Sequence, residues 1–141
     1  MFQAFFVYLL SIKNEVMSNK NVKTIFCDID GTLLKQVDFK ELNENKFEVL
    51  PGALEKFREW NEAGHHIVIT TARPDSMRGL TVRQLGNAGF QFHQLVMGIG
   101  REERILINNN SSKDPNRDRA IGVPVERDGG FANLEWASVG L

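Results

Sequence analysis

A run of apolar strand formers that ends in a pair of aspartates constrains this chain more than any other feature. Lys23 to Asp28 reads K-T-I-F-C-D, and Asp28-Ile29-Asp30-Gly31-Thr32 follows at once. A short apolar run of this kind predicts a buried strand of a parallel sheet. Carboxylates at i and i+2 leave an extended chain on the same face, and Gly31 permits the tight turn that must follow. One such carboxylate can attack phosphorus and form an aspartyl-phosphate. The other can protonate the leaving oxygen and then deprotonate the incoming water. An anion approaching an anionic phosphate needs charge compensation, for which Mg2+ with oxygen ligands is the usual choice.

The rest of the chain predicts an alternation of strands and helices. Pro51 opens a helical pattern with Leu54, Phe57, Trp60 and Ala63 on one face, and Gly64 closes it. His66 to Thr70 predicts the second strand, and Ser76 to Ala88 a second helix weakened by Gly79 and Gly86. Arg104 to Asn108 and Ala120 to Val125 predict a third and a fourth strand, with a last short helix over Phe131 to Ala137. The gap between the second and third of these strands has room for one helix and a short strand. Such an alternation gives an α/β domain with a mostly parallel sheet, and ligands then bind beyond the carboxyl ends of the strands. Asp28, Thr70, Thr71 and Asn108 to Asn110 all fall at predicted strand ends.

The D-x-D-G-T string, V-L-P-G-A-L-E-K-F before the first helix and I-V-I-T-T-A-R-P after it resemble the haloacid dehalogenase-like (HAD) hydrolase superfamily. The similarity runs roughly from Lys23 to Val125. It implies a Rossmann-like three-layer sandwich, with Asp28 as nucleophile and Asp30 as general acid and base. It also implies that Thr71, with Thr70 as its neighbour, binds the phosphate. A basic residue should steady phosphate and nucleophile; Arg101 is the candidate, with Arg104 and Lys113 as alternatives. The superfamily places acidic metal ligands after the third strand, but here the string is Asn108-Asn109-Asn110-Ser111-Ser112-Lys113-Asp114. Asn109 stands where the first Asp is usual, and Asp114 lies five residues on. The implied metal set is therefore Asp28, Asp30, Asn109 and Asp114. An Asn carbonyl ligates without charge, which points to weak activity or to a module that only binds. Asp30 favours phosphoryl chemistry over dehalogenation, since a halide leaves without a proton.

The spacing leaves no room for a large cap domain. Only a small flap, about residues 33–49, fits between Asp30 and the first helix, with Asp38, Lys40, Glu41 and Lys46 as candidate substrate contacts. Capless relatives act on large substrates or use a neighbouring subunit as a lid, so a homo-oligomer covering the open site is one expectation. Residues 17–141 form the core domain on this reading. Residues 1–16 are an apolar extension, too short for a membrane span. It is read as an added helix, a subunit contact, or a stretch before a true start at Met17.

A net charge of −1 advertises neither nucleic acid nor an anionic membrane as partner. The single cysteine, Cys27, excludes an internal disulfide framework and fits a reducing, cytoplasmic compartment. Cys27 lacks an arginine at the spacing of a cysteine phosphatase and reads as a buried strand residue. His65, His66 and His93 have no partners at metal-ligand spacing and read as satisfied polar residues. Trp60 and Trp136 read as packing residues. The expected function is magnesium-dependent hydrolysis of a small phosphomonoester, with a sugar phosphate the first guess by resemblance. The alternatives are a nucleotide or polynucleotide 3′-phosphatase and a phosphate-binding regulatory module.

Overall fold

In the computed structural model, residues 3–5, 7–8 and 21–141 are described. Most of the expectations for residues 1–16, and the start at Met17, lie outside them. Residues 3–5 and 7–8 are helical and exposed.

Three parallel strands form the sheet: β1 (Thr24–Cys27), β2 (His66–Thr70) and β3 (Gln94–Val96), in that spatial order. Between them lie α1 (Ala53–Glu62) and α2 (Arg78–Ala88), the latter entered through a single tight turn at Asp75–Met77. Each strand is followed by a helix before the next, as parallel pairing requires. The register pairs Cys27 with Ile69 and Thr70 with Val96. The strands therefore finish close to one level, with Asp28 and Thr71 the next residues along. Two further bonds knit these ends: Thr71 N–H donates to the Val96 carbonyl (2.9 Å), and Gly98 N–H to that of Arg73 (2.8 Å).

Packing explains why the helix at Pro51 holds. Its Ala53, Phe57 and Trp60 are buried, with Ile67 and Ile69 of β2, Ile29, Leu33, Leu85 and Phe90 in the same core. Phe57 meets Phe90 edge-on at 4.9 Å, and Trp60 meets Trp136 edge-on at 5.4 Å. Trp60 and Trp136 are thus packing residues, and Cys27 is buried, where burial and the neighbouring Asp28 charge push its thiol up. The carboxyl-terminal segment closes over α1 through Phe131, whose N–H donates to the Pro51 carbonyl at 2.7 Å. Gly130 makes this approach: with φ +73°, any Cβ there would lie 2.4 Å from that same carbonyl oxygen.

Three predicted elements are absent from the described residues. Arg104–Asn108 and Ala120–Val125 form no strand, and Ile105 and Ile107 are 84% and 91% exposed. An apolar run becomes a strand only when an edge accepts its backbone groups. Here Arg104 is drawn across the ends of β1 and β2 by Asp28 and Thr70. The third strand is instead the short Gln94–Val96 segment. The helix expected at Phe131–Ala137 is reduced to turns and a single 3₁₀ turn, Trp136–Val139. Phe131 is committed to Pro51, and the Trp136 indole N–H donates to the Phe131 carbonyl at 3.2 Å. Residues 33–49 make a small hairpin-like excursion, with Leu34 bridging Val49 and Asn43 bridging Lys46. No large cap domain appears among the described residues, and no helix there is long and apolar enough to cross a membrane.

The three histidines serve the sheet. His65 Nδ1 accepts the Lys23 N–H at 3.1 Å, and His93 Nδ1 accepts that of Ile67 at 3.0 Å. His66 Nε2 lies 3.1 Å from the Gln94 amide. Burial, and then the Lys23 charge, hold His65 below the ordinary histidine range. Its neutral form is the one that accepts at Nδ1. Above about pH 6.5 His65 is neutral folded and unfolded, and its contribution is complete. As pH falls below that value, the unfolded chain takes up a proton that the folded chain resists, and stability drops. Urea unfolding at pH 7.5 and pH 5.5 should show this loss, and a His65→Gln variant should lose less over the same interval. An equal loss in the variant would remove His65 as the cause.

Candidate functional site

The loop after β1 is built on Ile29, which is fully buried. Its carbonyl accepts the N–H groups of Thr32 (3.1 Å), Leu33 (2.8 Å) and Leu34 (3.1 Å). Gly31 turns the chain at φ +80°, a conformation that costs a side chain little only when there is none. With Ile29 pointing inward, Asp28 and Asp30 face the other way, into a cleft of about 530 Å³. Thr32, Gln36, Phe39, Thr71, Arg73, Arg101, Arg104 and Arg127 line the same cleft.

Asp30 is gripped by an arginine. Arg73 Nε donates to Oδ2 at 2.8 Å and Nη2 to Oδ1 at 2.7 Å, a bidentate fork. The Arg73 side chain is fully buried and that of Asp30 is 15% exposed. The remaining guanidinium nitrogen, Nη1, donates to Thr81 of α2 at 3.2 Å, while the Arg73 backbone N–H donates to Thr71 Oγ1 at 3.1 Å. One side chain thus joins the β1 loop, the β2 end and α2. Asp28 is held differently. Thr32 Oγ1 donates to its Oδ2 at 3.2 Å, and Arg104 Nη1 donates to its Oδ1 at 3.1 Å and to Thr70 Oγ1 at 3.4 Å. This pair is more open, with Arg104 39% and Asp28 33% exposed.

The structure brings Asp28, Asp30, Thr71 and Arg101 together in the cleft, with Thr70 tied to its rim through Arg104. Arg104, named as an alternative to Arg101, is the one in contact with Asp28. Arg101 lies over the Phe39 ring at 4.8 Å. The third basic candidate, Lys113, sits in a turn whose backbone is held by Ser111 Oγ, outside the cleft lining. Asn109 and Asp114 are not brought to the cleft: the Asn109 side-chain oxygen accepts from Arg119 at 3.2 Å, and an Asp114 oxygen accepts the Asn116 N–H at 3.1 Å. Both belong to the unpaired segment after Arg104, which does not continue the sheet. On the flap, Gln36 and Phe39 line the cleft, and Asp38, Lys40, Glu41 and Lys46 do not.

The donor set also bears on the expected magnesium ion. Both Asp30 oxygens accept from Arg73, both Asp28 oxygens have donors, and the other two expected ligands lie elsewhere. Among the described residues no group of three or more His, Cys, Asp or Glu side chains could hold a metal ion. The side chains gathered here therefore do not fit the expected four-ligand magnesium site.

Arg73, in the T-A-R-P string, is not among the residues expected at the site. Its spacing from Thr71 was the available signal, since i and i+2 share a face at an extended strand end. Arg127, Phe39 and Gln36 carried no local signal, because distant segments bring them in.

The family model of the LNS2 domain of PITM 1-3 matches residues 25–115. A crystal structure of a structural-genomics target from Vibrio cholerae is similar at 18% identity and TM-score 0.47, over 64% of this chain and 82% of that one. The Pnkp1/Rnl/Hen1 complex contains a chain similar at 19% identity and TM-score 0.49, over 62% of this chain and 32% of that one. The D,D-heptose 1.7-bisphosphate phosphatase from B. bronchiseptica, complexed with magnesium and phosphate, is similar at 22% identity and TM-score 0.43, over 58% and 53%. A search of the curated proteins found no match.

Removing the buried arginine tests the ion pair directly. Arg73→Leu leaves Asp30 without its cation and should destabilise the fold by roughly 3 kcal/mol. Arg73→Lys should recover part of that, since a lysine keeps the charge but not the fork. Denaturant midpoints for the three proteins check this, and an unchanged midpoint in Arg73→Leu would overturn it.

Proposed function

The chain belongs to the LNS2 domain family, with a HAD-like phosphatase fold, and from that premise we propose that it hydrolyses a small phosphomonoester through Asp28. The observation that supports this reading is the composition of the cleft: an accessible carboxylate at a strand end, ringed by four arginines and a buried threonine. Guanidinium groups match phosphate oxygens in pairs. Thr71 and the Arg104 guanidinium are the proposed phosphate contacts, and Arg104 takes the steadying role first given to Arg101. A sugar phosphate remains the substrate implied by resemblance.

The proposed reaction has two displacements. An Asp28 oxygen attacks phosphorus, the phosphorus–ester oxygen bond breaks, and the leaving alkoxide takes a proton from solvent water. Water then attacks the aspartyl-phosphate, gives its proton to Asp30, and releases phosphate and the free Asp28 carboxylate. Asp30 is the proposed base of the second step; taking up the proton costs it one of its two bonds to Arg73, and the proton then passes to solvent.

Asp28→Asn should abolish turnover in a folded protein, because an amide cannot form the acyl-phosphate. Asp30→Asn should give a burst with an activated aryl phosphate, followed by turnover slowed by about 10²–10⁴-fold. Absence of the burst, with slowing that grows for poor leaving groups, would make Asp30 the general acid instead. The place of magnesium is measured by titrating the metal against turnover in the natural chain, Asn109→Asp and Asn110→Asp. Equal metal dependence in all three is expected, since Asn109 lies on Arg119. Tighter dependence in Asn109→Asp would bring that residue to the ion.

A second reading is a phosphate-binding module without turnover. It is favoured by Arg104, which covers an Asp28 oxygen. Phosphate binding without hydrolysis of any phosphomonoester would select it.

A further inference from the structure

The four arginines of the cleft are not equivalent. Arg73 is spent on Asp30 and Arg104 on Asp28. Arg101 and Arg127 have no carboxylate or hydrogen-bond acceptor among the described residues, yet both line the cleft. A pair of uncommitted guanidinium groups beside one reacting phosphate exceeds what that phosphate needs.

Both are held in place. Arg101 stacks over Phe39, which keeps its fork edge free while its face is covered. Arg127 is positioned from below and from behind. Its stem crosses Gly31 so closely that a Cβ there would stand 3.2 Å from Arg127 Cγ. The next residue, Asp128, adopts φ +61°, uncommon for a residue with a side chain. Asp128 N–H donates to the Gly31 carbonyl at 2.8 Å, and Asp128 Oδ1 accepts the Gln36 N–H at 2.8 Å. The turn that carries Arg127 is thus bonded to the nucleophile loop on one side and to the flap on the other.

We propose that Arg101 and Arg127 form a second anion subsite, so that the substrate is a phosphomonoester carrying a further phosphoryl group, as in a sugar bisphosphate. This rests on the phosphatase reading for the reacting phosphate, but the subsite itself needs only binding. Two cations suit a phosphate monoester, which carries about −1.5 to −2 at neutral pH, better than a singly charged carboxylate. A cleft of about 530 Å³ admits a ligand of hexose bisphosphate size.

The test compares a hexose bisphosphate, the matching hexose monophosphate and a phosphorylated hydroxy acid, on the natural chain, Arg127→Gln, Arg127→Lys and Arg101→Gln. The natural chain should prefer the bisphosphate over the monophosphate by about tenfold or more in kcat/KM, as charge-assisted bonds of this kind provide. Arg127→Gln and Arg101→Gln should each erase most of that ratio. Arg127→Lys, which keeps the stem over Gly31, should keep part of it and guards against a folding defect. The same ratios measured as equilibrium affinities for Asp28→Asn, which cannot turn over, separate the subsite from the chemistry. No turnover with any ester, but tighter binding of the bisphosphate that depends on Arg127, would overturn the phosphatase reading and uphold the subsite. Equal affinity for bisphosphate and monophosphate, or ratios unchanged in Arg127→Gln and Arg101→Gln, would overturn the subsite. Equal preference for the hydroxy acid would overturn its assignment to a phosphoryl group.

Discussion

The bidentate pair between Arg73 and Asp30 is the contact on which the site's geometry rests. It is buried on the arginine side, so neither partner can leave without stranding the other in a poorly solvated position. Through Thr81 and Thr71 the same arginine reaches α2 and the end of β2. The loops after β1 and β2 are therefore one unit. Asp28, two residues before Asp30 and next to the buried Ile29, is aimed by the same constraint.

Around this rigid centre the outer parts of the cleft are held less tightly. Arg104 reaches Asp28 from a segment whose backbone pairs with no strand, and both groups are partly open to solvent. A contact of that kind is weak in water, so a phosphate can compete for the guanidinium that holds it. The difference in burial between the two Asp–Arg pairs matches their proposed duties. The Asp30 carboxylate is held in place by a buried arginine, and the Asp28 carboxylate is the more open to solvent.

The segment after β3 also explains why the expected metal set does not assemble. Ligands at Asn109 and Asp114 presuppose a strand that ends beside β1 and points its last residues at Asp28. Without that strand, Asn109 finds Arg119 and Asp114 caps a local turn. What the cleft holds around its two carboxylates is guanidinium charge, from Arg73, Arg101, Arg104 and Arg127. The family match, covering residues 25–115, spans the sheet, the two helices and this segment.

Local sequence determined β1, β2 and both helices, because each carries its own local pattern, clearest for the helix punctuated by Pro51 and Gly64. It also determined that Asp28 and Asp30 share a face, which follows from the pleat of an extended chain, and that Thr71 lies at the neighbouring strand end. It misjudged Arg104–Asn108 and Ala120–Val125, since strand formation needs a partner edge as well as apolar residues. Only the tertiary structure decided which arginine meets which aspartate. Arg73, Arg104 and Arg127 approach the cleft from three separate stretches of chain, and a guanidinium at the end of a long side chain carries no mark of its partner. That choice is made by burial and by the packing that brings those stretches to one cleft.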